Sequence, residues 1–284
     1  MEKYKILRAK YPEFIYRNYD YKIEGGNLKI SFFFEIPPGI SFRPRLIIKN
    51  INETGFDPVS LDNLIFHIGL IEMLSYWKTT CSPEIVIEAG YLYKEQIKWW
   101  KDLIIKGMGQ FFYENKIDWR LKNFLNIKAR TRKFFNPCGV PLRDKTVKKF
   151  PGLSSRYLVP FAGGRDSIVT LEKLKKENKE ISLFTVNPIE KIQRAVKVSG
   201  IKKQIIVERI IDKKLLELNK NGYLNGHTPF TSFLSFTSLL CAVLFDYKNI
   251  AFSNEKSADE GNVRYLGKTI NHQWAKSSEF EKMF

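Results

Sequence analysis

The chain has 284 residues, of which 44% are hydrophobic and 27% charged, and its 47 Lys and Arg outnumber 30 Asp and Glu to give a net charge of +17. This length and balance exclude a disordered chain and allow two domains of ordinary size. The charge suits polyanionic partners such as nucleic acid, nucleotides or an anionic membrane, although lysines scattered over solvated faces give the same sum.

The N-terminus, MEKYKILRAKYPEF, has no apolar run ahead of a small-residue cleavage site, so no secretory signal is expected and the expected location is cytoplasmic. Residues 17–36 carry a hairpin pattern around Gly25-Gly26-Asn27, and a further β segment is expected over 45–51. Leu61, Leu64, Ile65, Ile68, Ile71 and Leu74 have helical spacing and predict a helix over 57–79. A short buried strand at 84–88 and an amphipathic helix from Tyr93 to Tyr113 follow, so residues 1–145 read as a small α+β domain.

From Arg120 to Lys149 the sequence turns basic and irregular. Its tract Arg130-Thr-Arg-Lys-Phe-Phe interleaves cations with rings, as single-strand nucleic-acid binders do and as a solvated linker also does. A domain boundary is expected near residues 144–155, with a second domain over 146–284.

That second region opens with YLVPFAGGRDSIVT: an apolar strand, the pair Gly163-Gly164, and a helix begun by Asp166-Ser167. Glycines let backbone N–H groups approach an anion, and the helix start points its positive dipole end at the same place. An ordinary strand-to-helix turn capped by Asp or Ser is the alternative. Strands at 181–186, 204–209 and 249–252 then alternate with helices at 191–198 and 228–245, the last capped by Thr228 and Pro229. Such alternation predicts an α/β fold with a C-terminal parallel sheet and helices on both faces, preceded by the small α+β domain. Ligands bind beyond the carboxyl ends of such strands, which sets Gly163-Gly164, Asn187 and Ser253-Asn254-Glu255 along one rim. The apolar run Phe230–Phe245 is broken by Ser and Thr and is short for a membrane span.

Cys81, Cys138 and Cys241 lie far apart with no CxxC pair, so neither a disulfide framework nor a zinc site is expected. Among three histidines, His67 sits on an apolar helix and reads as packing. His227 precedes the last long helix, where it either reaches the rim or caps the helix, and His272 stands among polar residues beside Trp274. Glu255 at a strand end suits a base, a metal ligand or a salt bridge; Asp166 suits Mg²⁺ or a helix cap.

The segment AGGRDS resembles the SGGxDS loop of the PP-loop ATP pyrophosphatase superfamily, with Ala162 in place of the first serine and Arg165 at the variable position. More specifically, FHIGLIEMLSYWK, EIVIEAGYL, IKWWKDLIIKGMGQFFYEN, FAGGRDSIVTLE, FTVNP, NGHTPFTSF, FSNEKSADEGN and NHQWAKSSEFE, in this order, resemble the UDP-N-acetylmuramoyl-L-alanyl-L-glutamate epimerase family of peptidoglycan synthesis. The resemblance implies an adenine nucleotide alpha hydrolase-like fold and an ATP- and Mg²⁺-dependent inversion of the substrate's terminal L-glutamate through an acyl-adenylate, releasing AMP and pyrophosphate. It implies that Gly163, Gly164, Asp166 and Ser167 hold pyrophosphate and Mg²⁺, with Asp166 as the metal ligand. Ala162, Ser253 and Asn254 complete the nucleotide site, Asn187 lies near the nucleoside, and Arg165 neutralises phosphate. His227, Glu255 and His272 are the implied acid/base groups. The chain ends at Phe284, where the family normally continues, so a C-terminally shortened member is expected. A UDP-muramoyl dipeptide is the expected partner, with no stable nucleic-acid partner. The alternative functions are a PP-loop enzyme adenylating tRNA or another small carboxylate or amide, and a non-catalytic nucleic-acid binder using the 130–135 tract.

Overall fold

The computed structural model describes residues 2–51, 57–129 and 153–284. The basic-aromatic tract 130–135 and most of the expected boundary at 144–155 lie outside them.

Helix α1 (Lys3–Lys10) precedes the expected hairpin, β1 (Glu13–Glu24) and β2 (Asn27–Ile36), which turns at Gly25-Gly26. Alternation drives β2 into the core on one face only: Leu28, Ile30, Phe32, Phe34 and Ile36 are buried, their neighbours less so. Strands β3 (Ile40–Phe42) and β4 (Arg45–Ile48) both pair antiparallel with β2. The helix expected over 57–79 is two helices, α2 (Pro58–Glu72) and α3 (Leu74–Trp77), parted at Met73. The Asp57 carboxylate caps α2 by accepting from the Ser60 N–H at 3.1 Å. Strand β5 (Glu84–Ile87) lies parallel to β1; α4 (Lys94–Gly107) and α5 (Gly109–Glu114) replace the single helix expected at 93–113, and β6 (Asn126–Ala129) pairs with β5.

The remaining elements are β7 (Tyr157–Pro160), α6 (Arg165–Lys176), β8 (Ile181–Val186), α7 (Glu190–Ser199), β9 (Gln204–Ile210), α8 (Lys213–Lys220), α9 (Phe230–Leu244), β10 (Asn249–Ile250), the hairpin β11 (Val263–Tyr265)–β12 (Lys268–Ile270), and α10 (Ser278–Met283). Strands β10, β7, β8 and β9 are neighbours in that order and parallel throughout, as expected. Helices cover both faces. Val159, Leu183 and Ile181 pack with Leu171 of α6 and Val196 of α7, whereas Leu158, Phe184 and Val207 join the core that holds Phe233 and Leu240 of α9. Three details differ from expectation. Helix α9 starts two residues late, with Pro229 as its N-cap and no side-chain cap, so Thr228 does not cap it. Helix α6 starts one residue early, and β10 stops at Ile250. The amphipathic α8 was not foreseen, although Asp212 marks its start by accepting from the Lys214 N–H at 2.8 Å.

Strand β4 pairs antiparallel with β9, Arg45 to Ile210 through Ile48 to Val207, so one mixed sheet runs β10-β7-β8-β9-β4-β2-β1-β5-β6 across both regions. Side chains reinforce that seam. Arg209 on β9 donates to the buried Glu72 carboxylate at 2.8 Å and to Ser75 Oγ at 2.8 Å, both on the α2–α3 segment. Burial pushes the Glu72 carboxyl up, and Arg209 pulls it back. No helix among the described residues is long and apolar enough to cross a membrane.

Replacing Arg209 by Leu strands the Glu72 carboxyl, whose side chain is 2% exposed. Breaking a buried pair from one side costs about 3 kcal/mol, and denaturant unfolding of Arg209→Leu should show that loss, while the Glu72→Leu, Arg209→Leu double variant recovers part of it.

Candidate functional site

Strand β7 ends at Pro160 and the chain crosses the sheet rim through Phe161, Ala162, Gly163 and Gly164 before α6 begins. Gly163 takes φ +71°, and a methyl there would lie 3.1 Å from the Ala195 side chain, so the turn requires glycine. Gly164 is the N-cap of α6, and no side chain caps the helix. The Asp/Ser-cap alternative therefore fails: Asp166 is exposed in the first turn, and Ser167 donates its hydroxyl back to the Gly164 carbonyl at 2.8 Å. A β-carbon at Gly164 would meet open space.

This turn forms one wall of a pocket of about 340 Å³. Ala162, Gly164, Asp166, Ser167, Ser253 and Asn254, all expected nucleotide contacts, line it together. So do Lys276 and the rings of Phe184, Phe230 and Phe252. The Ser253 Oγ is buried with no hydrogen-bond partner among the described residues. Gly163 and Arg165 belong to the turn but do not line the pocket.

Asn187 is not brought there. It ends β8 at φ +43°, donates its amide to the Arg209 carbonyl at 2.7 Å and accepts from the Arg209 N–H at 2.8 Å. It lines a different pocket, of about 430 Å³, together with Lys49 and Glu208.

The histidines divide as follows. His67 stacks on the rings of Trp100 and Phe236 at interplanar angles of 10° and 11°. Burial there pushes its pKa down to about 4. It is packing, as its apolar helix suggested. His227 lies on the loop before α9, and its pKa falls below the ordinary value through burial, helped by the charges of His272 and Lys78 and opposed by Glu114. The charge of His272 therefore reaches His227. Glu255 is exposed at the entry to the turn Lys256–Asp259 and is not among the groups that shift His227. The polar residues after His272 are largely structural. Ser277 caps α10, and Glu279 accepts from the Trp274 indole at 2.8 Å and from Lys106 at 2.6 Å.

Lys78 and Glu114 are the members that sequence reasoning missed. Lys78 lies inside the run 68–82, every residue of which is buried, and a lone lysine in LIEMLSYWKTT is the signal that was available. It donates to the Gly226 carbonyl at 2.8 Å. Gly226 takes φ +148°, which disfavours a side chain, and a methyl there would stand 2.7 Å from Glu114 Oε2 and displace that carboxylate. Burial, with the Arg209 charge adding to it and Glu114 opposing, brings Lys78 down to about 8.

Residues 5–284 match the family described as MurL N-terminal domain. The chain belongs to this family. Three curated proteins similar to it are each named UDP-N-acetyl-alpha-D-muramoyl-L-alanyl-L-glutamate epimerase. The protein of Xanthomonas oryzae pv. oryzae is 27% identical over 81% of this chain and 48% of its own length. That of Salinispora tropica is 30% identical over 78% and 46%, and that of a Micromonospora species 29% over 78% and 46%. The chain spans about half the length of these relatives. No solved structure matches it. In this MurL N-terminal domain chain, the segments that carried the resemblance include α2 to α5 as well as the glycine turn, the α9 entry and the 271–279 turn.

Two titrations follow from this geometry. The His227 ring should titrate below 6.5 by NMR, rise when Lys78 is replaced by Met, and fall further when Glu114 is replaced by Gln. For His67 the folded pKa, about 4, lies below the unfolded 6.5. The stability it contributes is therefore complete above pH 6.5 and drains away as pH falls toward 4. His67→Phe keeps the stacking and should flatten that part of the stability–pH curve.

Proposed function

We propose that this chain forms the ATP-handling core of an epimerase that inverts the terminal L-glutamate of UDP-N-acetylmuramoyl-L-alanyl-L-glutamate in peptidoglycan precursor synthesis, in the cytoplasm. The names of its relatives supply the substrate class. The observation that carries the reading is the pocket at the glycine turn, where an uncapped helix start, Ser167, the orphaned Ser253 Oγ and Lys276 meet three aromatic rings. Uncapped N–H groups and a cation suit phosphates, and rings suit a purine. In this reading the parallel sheet is a PP-loop fold.

The residues fit the group. Gly164 and Ser167 would hold the pyrophosphate on the turn that Gly163 shapes, Lys276 in the pocket and Arg165 beside it would offset the charge, and Ala162, Ser253 and Asn254 would bound the nucleotide. Asp166 is the carboxylate at the pocket and would carry Mg²⁺, which supplies charge neutralisation on the phosphates. ATP explains how the inversion becomes feasible. Removing an α-proton beside a carboxylate stacks a second negative charge on the first. Joining the α-carboxylate to the α-phosphorus, with pyrophosphate leaving, removes that obstacle, so a modest base can take the proton. Return of a proton to the opposite face and hydrolysis of the acyl-adenylate give D-glutamate and AMP. His227, His272 and Glu255 are the proposed acid/base groups, and the charge of His272 is one of those that lower the His227 pKa. The net charge of +17 favours a second reading, adenylation of tRNA, whose binding would weaken steeply with salt where a small substrate would not.

The test is AMP release from ATP and Mg²⁺ with and without the UDP-muramoyl dipeptide, followed by chiral analysis of the glutamate. Substrate-dependent AMP with D-glutamate is expected; AMP without D-glutamate would mean another specificity, and no AMP would refute the nucleotide site. Gly164→Val serves as the control, because its β-carbon meets open space in the fold but would intrude on the phosphates. AMP formation should fall by about tenfold or more with the melting temperature unchanged.

A further inference from the structure

An inversion needs two proton-transferring groups, one on each face of the α-carbon, and the cluster beside the pocket supplies candidates from four elements. Lys78 follows α3, Glu114 ends α5, His227 precedes α9 and His272 follows β12. The cluster adjoins the nucleotide pocket through Phe230, which lines that pocket, lies three residues after His227, and has the Arg209 guanidinium 5.8 Å from its ring centre. We propose that Lys78 is the catalytic partner of His227, His227 taking the α-proton and Lys78 returning one to the opposite face. The assignment rests on the epimerase reading above and names a residue outside its acid/base set.

The geometry gives Lys78 little structural work to do. It has no carboxylate within salt-bridge distance among the described residues, and its Nζ is fixed by a single bond of 2.8 Å, to the Gly226 carbonyl, one residue from His227. A buried ammonium held by one neutral carbonyl costs stability, so packing alone does not account for a lysine at this place. The charged groups around it are Arg209 of β9, which opposes its charge, and Glu114 of α5, which favours it. Around His227 stand Glu114, His272 and Lys78. Near neutral pH these surroundings leave Lys78 protonated and His227 neutral, one acid and one base, as the step requires.

In the step, the Cα–H bond breaks and the proton bonds to the neutral imidazole, its electron pair passing into the activated carboxyl. An ammonium N–H of Lys78 then breaks and the proton bonds to the other face of Cα. The imidazolium returns its proton to the Lys78 amine through solvent, so the enzyme is restored with no net proton change.

Lys78→Met should be assayed in D₂O for AMP, inversion and deuterium. Inversion is expected to fall about a hundredfold or more, AMP formation far less, and recovered L-glutamate should carry deuterium, because His227 still removes and returns a proton on its own face. Inversion at the wild-type rate, or AMP, inversion and deuterium uptake all lost together with a lowered melting temperature, would overturn the assignment. Absence of AMP from the unmodified protein would instead refute the nucleotide reading, and this assignment with it. Competitive acetylation of the unmodified protein gives an independent check: Lys78 should react with a midpoint near 8, well below other lysines, and be protected by substrate. A Lys78 that does not react across pH 7 to 10, or whose reaction substrate leaves unchanged, would also overturn it.

Discussion

The ladder between β4 and β9 is the constraint on which the rest depends. Four residue pairs turn a hairpin-based sheet and a parallel sheet into one surface, and they run antiparallel where the strands beyond β9 run parallel. Because Arg209 sits within that ladder, its backbone is held by Leu46 on one side and by the Asn187 side chain on the other, while its guanidinium reaches Glu72. The seam is thus pinned in the plane of the sheet and perpendicular to it. An arginine suits this place because its planar fork satisfies Glu72 and Ser75 together, which a lysine does not.

The polar cluster spans the two regions that the seam and the shared core join. Lys78 and Glu114 come from the first region, and His227 and His272 from the second. Neither region alone sets an amine and a carboxylate against the Gly226 loop that carries His227. The pocket, in contrast, is built wholly from the second region, from segments following β7, β8 and β10 together with α9. Family membership therefore rests on both regions, as does the proposed chemistry.

Sequence alone revealed the hairpin, the parallel strands and the glycine turn because each has a local cause: a period of two, a buried apolar run, a residue free to take positive φ. It also placed Ser253 and Asn254 on the pocket rim, since the carboxyl ends of parallel strands converge. It misplaced Asn187, whose side chain is consumed by the strand opposite, a partner no local pattern announces. It missed Lys78 for a related reason. Lys78 looked like one cation among 47 Lys and Arg, and only the packing of 71–80 reveals that it is buried. The split of the two long N-terminal helices at Met73 and Met108 was equally invisible, because apolar spacing continues through both breaks.

Strand β8 is flanked by β7 and β9 and packed on both faces, whereas β10 contributes two residues at the sheet's edge and pairs on one side only. Local opening is cheapest where few contacts must be broken, so amide exchange should be slowest in β8 and fastest around β10. The same pocket is thus bounded by the sheet's interior at Phe184 and by its edge at Phe252 to Asn254, the wall where opening costs least.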